Sequence, residues 1–249
     1  MLPLSVILIT KNEANDIERC LRPLQSVQEI IVLDSGSSDA TVQLARSLGA
    51  RVIETDWPGF GHQKNRALDE VSLDWVFSID ADEWPDEALL KSMAAALVLQ
   101  ANDSSAPLAY RVKRLNLYCG KPITHGDWGR DRPVRLFKKE TGRFSEVLVH
   151  ESVQVRGPVG LLEGLLWHDS VADYTEGDRK YRRYAELAAQ ELARKGRGGL
   201  MPGLSHAFFA FLRSYVFRLG FLDGLGGLQL AWLGARYTFF KYFLARPTR

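Results

Sequence analysis

Trp75-Val76-Phe77-Ser78-Ile79-Asp80-Ala81-Asp82-Glu83 reads as a buried strand whose apolar residues run out at two carboxylates, Asp80 and Asp82. In an open α/β sheet, ligands sit outside the carboxyl ends of the strands. Two carboxylates at such an end call for a cation. Hard oxygen ligands suit Mg²⁺ or Mn²⁺, which usually bind through one or two carboxylates plus the phosphates of a substrate. The stretch therefore predicts a divalent cation carrying a nucleoside diphosphate. The competing reading is a solvated acidic turn that caps a helix starting near Asp86, since Asp is common at turns and helix starts.

Outward from this stretch the chain keeps one rhythm. Leu4 to Ile9 is a short apolar run that breaks into Thr10-Lys11-Asn12-Glu13, and Glu29 to Asp34 is another that breaks into Ser35-Gly36-Ser37-Ser38-Asp39. Between them Ile17, Leu21 and Leu24 recur at helical spacing. A second helical face, Thr41, Leu44, Ala45 and Leu48, follows a Ser38/Asp39 cap and stops at Gly49, and Arg51 to Glu54 makes a third strand. Strands separated by helices of this length predict an α/β fold with a mostly parallel sheet. Its polar loops share one edge, where Thr10, Asn12, Glu13, Asp34 and Asp39 can line a nucleotide pocket. Lys64 and Arg66, at a helix start after Gly59 and Gly61, suit a phosphate or base contact. Asp39 reads equally well as a plain helix cap.

Several chemistries are excluded. No G-x-G-x-x-G follows the first strand and no G-x-x-x-x-G-K-[ST] occurs, so neither a dinucleotide fingerprint nor a P-loop is present. Two cysteines, Cys20 and Cys119, form neither a disulfide framework nor a zinc pattern. Met1 to Thr10 lacks a basic n-region and a cleavage site, and reads as a strand rather than a signal peptide. The net charge of +2 hides an asymmetry: Arg179 to Arg249 carries 13 Lys or Arg against three carboxylates, leaving 19 basic and 27 acidic residues before it. An acidic body argues against nucleic acid as a partner. The basic, aromatic-rich tail suits an anionic membrane surface.

Four motifs in register, Thr10-Lys11-Asn12-Glu13, Asp34-Ser35-Gly36-Ser37-Ser38-Asp39, Gly61-His62-Gln63-Lys64-Asn65 and Asp80-Ala81-Asp82-Glu83, resemble the family 2 inverting glycosyltransferases with the GT-A fold. Downstream, Arg135-Leu136-Phe137, Val149-His150-Glu151 and Leu219-Gly220-Phe221-Leu222-Asp223-Gly224 are similar to the branch containing lipopolysaccharide core β-1,4-glucosyltransferases. The resemblance implies a mixed, mostly parallel sheet flanked by helices over residues 1–178, with a helical extension over 179–249. It implies a UDP-sugar donor, most simply UDP-glucose, and a β-linked product. Thr10, Glu13 and Asp39 would hold the uridine, with Asn65 or Arg66 near its base or phosphates. Asp80 and Ala81 would lie by the ribose and metal, and Asp82 would ligate the metal directly. The acidic residue that family members carry after the metal motif corresponds here to Glu151, the expected base, with Asp131 in reserve.

Inversion by single displacement needs a base on the acceptor side and stabilisation of the leaving diphosphate on the other. Asp131, between Arg130 and Arg132, reads as an ion-paired carboxylate and so as a weaker base. The basic run from Arg111 to Arg135, interleaved with Tyr118, His125 and Trp128, can grip an anionic saccharide or glycolipid acceptor, or form a solvated face. The Gly126-Asp127-Trp128-Gly129-Arg130 loop departs from the core glucosyltransferase pattern, which leaves the acceptor open. His168 reads as a structural histidine at a strand end, with metal contact the alternative. The tail segments around Phe208 to Arg218 and Leu225 to Leu244 lack the uncharged length of a spanning helix and read as interfacial. The expected location is therefore the cytoplasmic face of the inner membrane. Two other readings remain: a family 2 transferase with another donor or acceptor, which a donor screen separates, and a nucleotide-sugar binding subunit without turnover, which UDP release separates. Oligomeric state is left undetermined by these features.

Overall fold

The computed structural model describes residues 1–103, 105–145 and 152–245. The chain forms two compact units, one of Met1–Arg114 with Arg132–His168 and the other of Leu115–Asp131 with Asp169–Arg249. In chain order the strands are β1 (Leu2–Thr10), β2 (Val27–Asp34), β3 (Arg51–Glu54), β4 (Trp75–Ser78), β5 (Glu83–Pro85), β6 (Ala109–Tyr118), β7 (Lys121–Pro122), β8 (Val134–Lys138), β9 (Gly142–Phe144), β10 (Val153–Val155) and β11 (Val159–Val171). The helices are α1 (Ile17–Leu21), α2 (Thr41–Ser47), α3 (Phe60–Asp69), α4 (Glu87–Asn102), α5 (Tyr174–Arg194), α6 (Leu200–Leu212) and α7 (Gly224–Leu244).

The first unit is built on a mixed sheet in the order β3-β2-β1-β4-β8-β6-β11-β5. β3, β2, β1 and β4 are parallel, and β8 joins β4 antiparallel. Both faces of β1 are covered: Leu4, Val6 and Leu8 pack on one side with Phe77, Leu89 and Met93, while Ile7 packs on the other with Ile31, Leu68 and Phe137. Double burial is why these strands read as continuous apolar runs rather than alternating ones. From β1 the chain steps outward to β2 and β3, then returns to place β4 on β1's opposite side. That reversal makes the carboxyl ends of β1 and β4 the switch point where a crevice opens.

The deciding stretch forms less strand than expected. β4 ends at Ser78, and Asp80 to Glu83 closes into a turn in which the Glu83 amide donates to the Asp80 carbonyl at 3.0 Å and the Asp80 amide to Glu83 Oε2 at 3.0 Å. Helix α4 follows, with Asp86 capping it by accepting from the Leu89 amide at 2.7 Å. The capping reading thus applies to Asp86, one turn beyond the acidic pair.

The second unit is helical. α5 begins at Tyr174, five residues ahead of the basic run that suggested it, because Asp173 caps it by accepting from the Glu176 amide at 2.9 Å. α7 packs on both α5 and α6, over a small core of Tyr118, Ile123, Val171, Leu230 and Leu233. Gly227 lets the first turns of α7 close on the turn that precedes it, since a Cβ there would sit 1.8 Å from the Gly220 carbonyl oxygen. Asp223 fixes the loop before it, accepting from the His125 amide at 2.8 Å and the Thr124 hydroxyl at 3.0 Å. Among the described residues no helix is long and apolar enough to cross a membrane.

Candidate active site

The acidic turn at the end of β4 is held by buried charge. Asp80 presents Oδ1 to Lys64 Nζ at 2.8 Å and Oδ2 to Arg135 Nη2 at 2.6 Å. Glu83, fully buried, takes Arg135 at 2.5 Å and Arg114 at 2.8 Å on Oε1. Burial pushes the Asp80 carboxyl up, but the Arg135 and Lys64 charges outweigh it and hold the group well below the usual carboxylate range. Stripping one partner from such a buried pair leaves an uncompensated charge and costs about 3–5 kcal/mol. The cluster therefore fixes the turn as a unit. Asp80, expected beside a metal, has both oxygens engaged by cations of the protein itself. The reason lies in β8, which pairs antiparallel with β4 and brings Arg135 to that end.

Asp82 sits differently. Its Oδ2 lies 3.3 Å from His168 Nε2, and both side chains are only partly covered. His168 reaches it because β11 pairs antiparallel with β5, setting His168 opposite Glu83. A carboxylate oxygen and an imidazole nitrogen at this separation form a donor pair that fits a divalent cation whose remaining positions are filled by phosphate oxygens and water. Among the described residues no group of three or more such side chains converges. The sequence favours a structural role for His168 and leaves metal contact as the alternative. No local pattern marks it, since its position depends on a strand pairing across more than eighty residues.

The nucleotide loops are tightly knit. Asp34, fully buried, accepts from the Gly36 amide at 3.0 Å, the Ser37 amide at 2.7 Å and the Thr10 hydroxyl at 3.0 Å, so it shapes the loop after β2 and faces inward. Asn12, at φ 58°, accepts from the Ser38 amide at 2.8 Å and ties the two loops together. Asp39 accepts from the Thr41 amide at 3.0 Å and the Ala14 amide at 3.2 Å. The Thr41 hydroxyl above all holds its carboxyl below the usual range. Glu13 is drawn into the same seam, its amide donating to Thr41 Oγ1 at 2.8 Å. Ala81 is buried within the acidic turn.

Helix α3 separates its residues by phase. Gln63, Lys64 and Asn65 are buried, whereas Arg66 is exposed and pairs with Asp56 at 2.6 Å. Asn65 bridges to β9, donating to the Phe144 carbonyl at 3.0 Å and accepting its amide at 2.9 Å. These two were expected at the base or phosphates. Instead the residue aimed at the acidic turn is Lys64.

Of the basic run from Arg111 to Arg135, Arg114 and Arg135 serve the buried cluster, and Arg111 donates to the Arg132 carbonyl at 3.0 Å. Asp131, in the second unit, has its Oδ2 3.5 Å from the Asn116 amide nitrogen. Glu151 and His150 lie outside the described residues.

The profile of glycosyl transferase family 2 matches residues 5–150, more than half the chain and all of the acidic turn. The chain belongs to glycosyl transferase family 2. It is 33% identical over 250 residues to the lipopolysaccharide core biosynthesis glycosyltransferase LpsC of Rhizobium meliloti, covering 96% of this chain and 90% of that one. It is 29% identical over 238 residues to an uncharacterized glycosyltransferase of Rickettsia prowazekii, covering 91% of this chain and 81% of the relative. Among solved structures, S. aureus TarS 1–349 in complex with UDP-GlcNAc superposes with a TM-score of 0.51 at 17% identity, over 76% of this chain and 66% of that one. That similarity establishes the GT-A type of fold, as the strand order around β1 and β4 anticipates.

Proposed function

We propose that this glycosyltransferase moves a sugar, glucose in the simplest case, from a UDP-sugar to a saccharide of the lipopolysaccharide inner core, inverting the anomeric centre in a single displacement. The observation that carries the reading is the acidic turn at the β1/β4 switch point, with Asp82 beside His168 and Asp80 clamped by Lys64 and Arg135. The family 2 match and the whole-length likeness to LpsC support the reaction class and the choice of acceptor. Asp82 and His168 would hold a divalent cation, Mg²⁺ or Mn²⁺, which when bound neutralises negative charge on the leaving diphosphate. Thr10, Asn12, Glu13 and Asp39, from the loops after β1 and β2, border the crevice for the uridine, with Asp34 setting their shape. Glu151 takes the acceptor proton.

The deciding experiment is UDP release by purified protein across UDP-sugars, with an inner-core saccharide acceptor, with Mn²⁺ or Mg²⁺ and then with EDTA. UDP-glucose is expected to give the highest kcat/KM, and chelation to remove more than about nine tenths of the rate. Acceptor-dependent release that survives chelation would overturn the metal assignment, and release from another donor alone would overturn glucose.

Attachment to the cytoplasmic face of the inner membrane belongs to the same proposal. Met201, Phe208, Phe217, Leu225 and Trp232 are exposed large apolar side chains along α6 and α7 and the turn between them, interspersed with Arg213, Arg218 and Lys241. Aromatic rings with basic residues among them suit a surface that lies on anionic headgroups. In vesicle flotation, full-length protein is expected to rise with liposomes containing phosphatidylglycerol and to stay down with pure phosphatidylcholine. A Phe208→Ser, Phe217→Ser, Trp232→Ser variant is expected to lose most of that binding. Equal flotation of variant and wild type would refute membrane contact through this surface.

A further inference from the structure

The second unit contains a cavity of about 360 Å³ between the loop at Ile123 to Trp128, which lies within the family 2 match, and the faces of α5, α6 and α7, which lie beyond it. Its volume is in the range of small-molecule pockets. Arg213 and Lys241 line it together with His125 and His206, and the acidic residue among its walls is Asp127. Asp127 is already committed to two guanidinium groups, Arg213 at 3.0 Å and Arg218. The balance at the cavity is therefore positive.

Two polar groups there lack partners among the described residues. Arg213 Nε is a buried donor with no acceptor. Lys241 pairs with no carboxylate among the described residues and instead lies 5.3 Å from the Tyr237 and Tyr242 rings. Burial lowers the Lys241 ammonium below the usual lysine range, and the charge of Arg213 lowers it further. Two cations thus face one partly dry space and repel each other across it. His206 donates from Nδ1 to the Pro202 carbonyl at 2.8 Å, and its ring stacks on Tyr242 at 4.4 Å between centroids. The other walls are aromatic: Trp128 Nε1 donates to the Tyr181 hydroxyl at 3.1 Å, and Tyr181 meets Tyr237 edge to face at 6.2 Å.

The geometry points to a binding site for a phosphate monoester that carries a sugar or a glycerol body, its phosphate between Arg213 and Lys241 and its carbon skeleton against Trp128, Tyr181 and Tyr237. A guanidinium with an unfilled N–H and an unpaired ammonium supply the charge-assisted hydrogen bonds that a phosphate takes. Rings that expose faces or edges suit the C–H surface of a sugar or a glycerol backbone. Binding at this site requires neither donor nor divalent cation.

Isothermal titration of the full-length protein in EDTA, without UDP-sugar, tests it with three probes: inorganic phosphate, glucose 6-phosphate and dihexanoyl phosphatidic acid. Saturable binding of at least one organic phosphate, about tenfold tighter than inorganic phosphate, is expected. Tighter glucose 6-phosphate names a phosphorylated saccharide as the source, and tighter phosphatidic acid names a lipid headgroup. Lys241→Met is expected to weaken binding at least tenfold. Gly234→Leu gives an independent steric test, because Gly234 lines the cavity and a Cβ built there meets no atom within 4 Å. It removes a helix-interior glycine and fills the space, so it is expected to keep the wild-type melting temperature or raise it while abolishing binding. No saturable binding of any probe, or unchanged affinity in both variants, overturns the site. Loss of transferase activity in any assay has no bearing on this result.

Discussion

Asp82→Ala is expected to lower the affinity for Mn²⁺ in the presence of UDP by at least about tenfold and turnover by about 10²–10³-fold, the range seen when one preorganised electrostatic stabiliser is removed from an active site. The argument rests on contrast within a single turn. Asp80 has both oxygens bound to buried cations, and Glu83 is enclosed between Arg114 and Arg135, so changing either disturbs the charge balance that holds the turn. Asp82, by contrast, has its Oδ2 3.3 Å from His168 Nε2 and stands outside the ion pairs that Asp80 and Glu83 make with Lys64, Arg114 and Arg135. Its removal spares the cluster. Asp82→Ala is therefore expected to melt within a few degrees of wild type, whereas Asp80→Ala melts well below it. Mn²⁺ binding followed by electron paramagnetic resonance, with and without UDP, reads the effect directly. Wild-type Mn²⁺ affinity in Asp82→Ala would remove this residue from the metal site, and the same measurement on His168→Ala separates a ligand from a neighbour.

The fold was legible because doubly buried strands announce themselves. The apolar runs at Leu4 to Ile9 and Glu29 to Asp34 became β1 and β2 with both faces covered, and Trp75 to Ser78 became β4. The site was legible as far as the motifs were local. What each motif residue touches was not, because that depends on partners distant in sequence. Asp34 reads in sequence as one of the loop residues of a nucleotide pocket, yet it is surrounded by four donors from its own loop and from Thr10. Lys64 and Arg66 read together as a phosphate or base contact, although helical phase divides them. Ala67 and Leu68 are buried, and the residues four before them, Gln63 and Lys64, share their face, which leaves Arg66 outside. That signal was present in the sequence. For His168 and Arg135 none was, since β11 and β8 deliver them through antiparallel pairings that no periodicity encodes. Of the basic run from Arg111 to Arg135, Arg114 and Arg135 balance the buried carboxylates, leaving fewer charges for an acceptor.

Glu151→Gln is expected to leave UDP affinity within about twofold of wild type and to lower kcat by 10²–10⁴-fold, the usual worth of a positioned general base. In the proposed inverting displacement the acceptor hydroxyl oxygen forms its bond to the anomeric carbon while the bond from that carbon to the diphosphate breaks. The hydroxyl proton must leave as this happens, and the electron pair of the broken bond departs with UDP. A carboxylate can take the proton, and an amide of the same shape cannot. Glu151 falls between β9 and β10 in chain order and is the proposed base. Asp131, the other candidate, stands between Arg130 and Arg132 in sequence and has the Asn116 side-chain amide beside it at 3.5 Å. Asp131→Asn is therefore expected to change kcat only a few fold. Single-turnover transfer from UDP-glucose, with UDP binding measured by titration in parallel, separates the two. If Glu151→Gln keeps more than about a tenth of the wild-type rate while Asp131→Asn loses it, the base is Asp131. If both keep it, neither carboxylate removes the proton. The acid limb of the pH profile gives a further check: it should flatten in Glu151→Gln, because the group whose protonation stops the wild-type enzyme is gone.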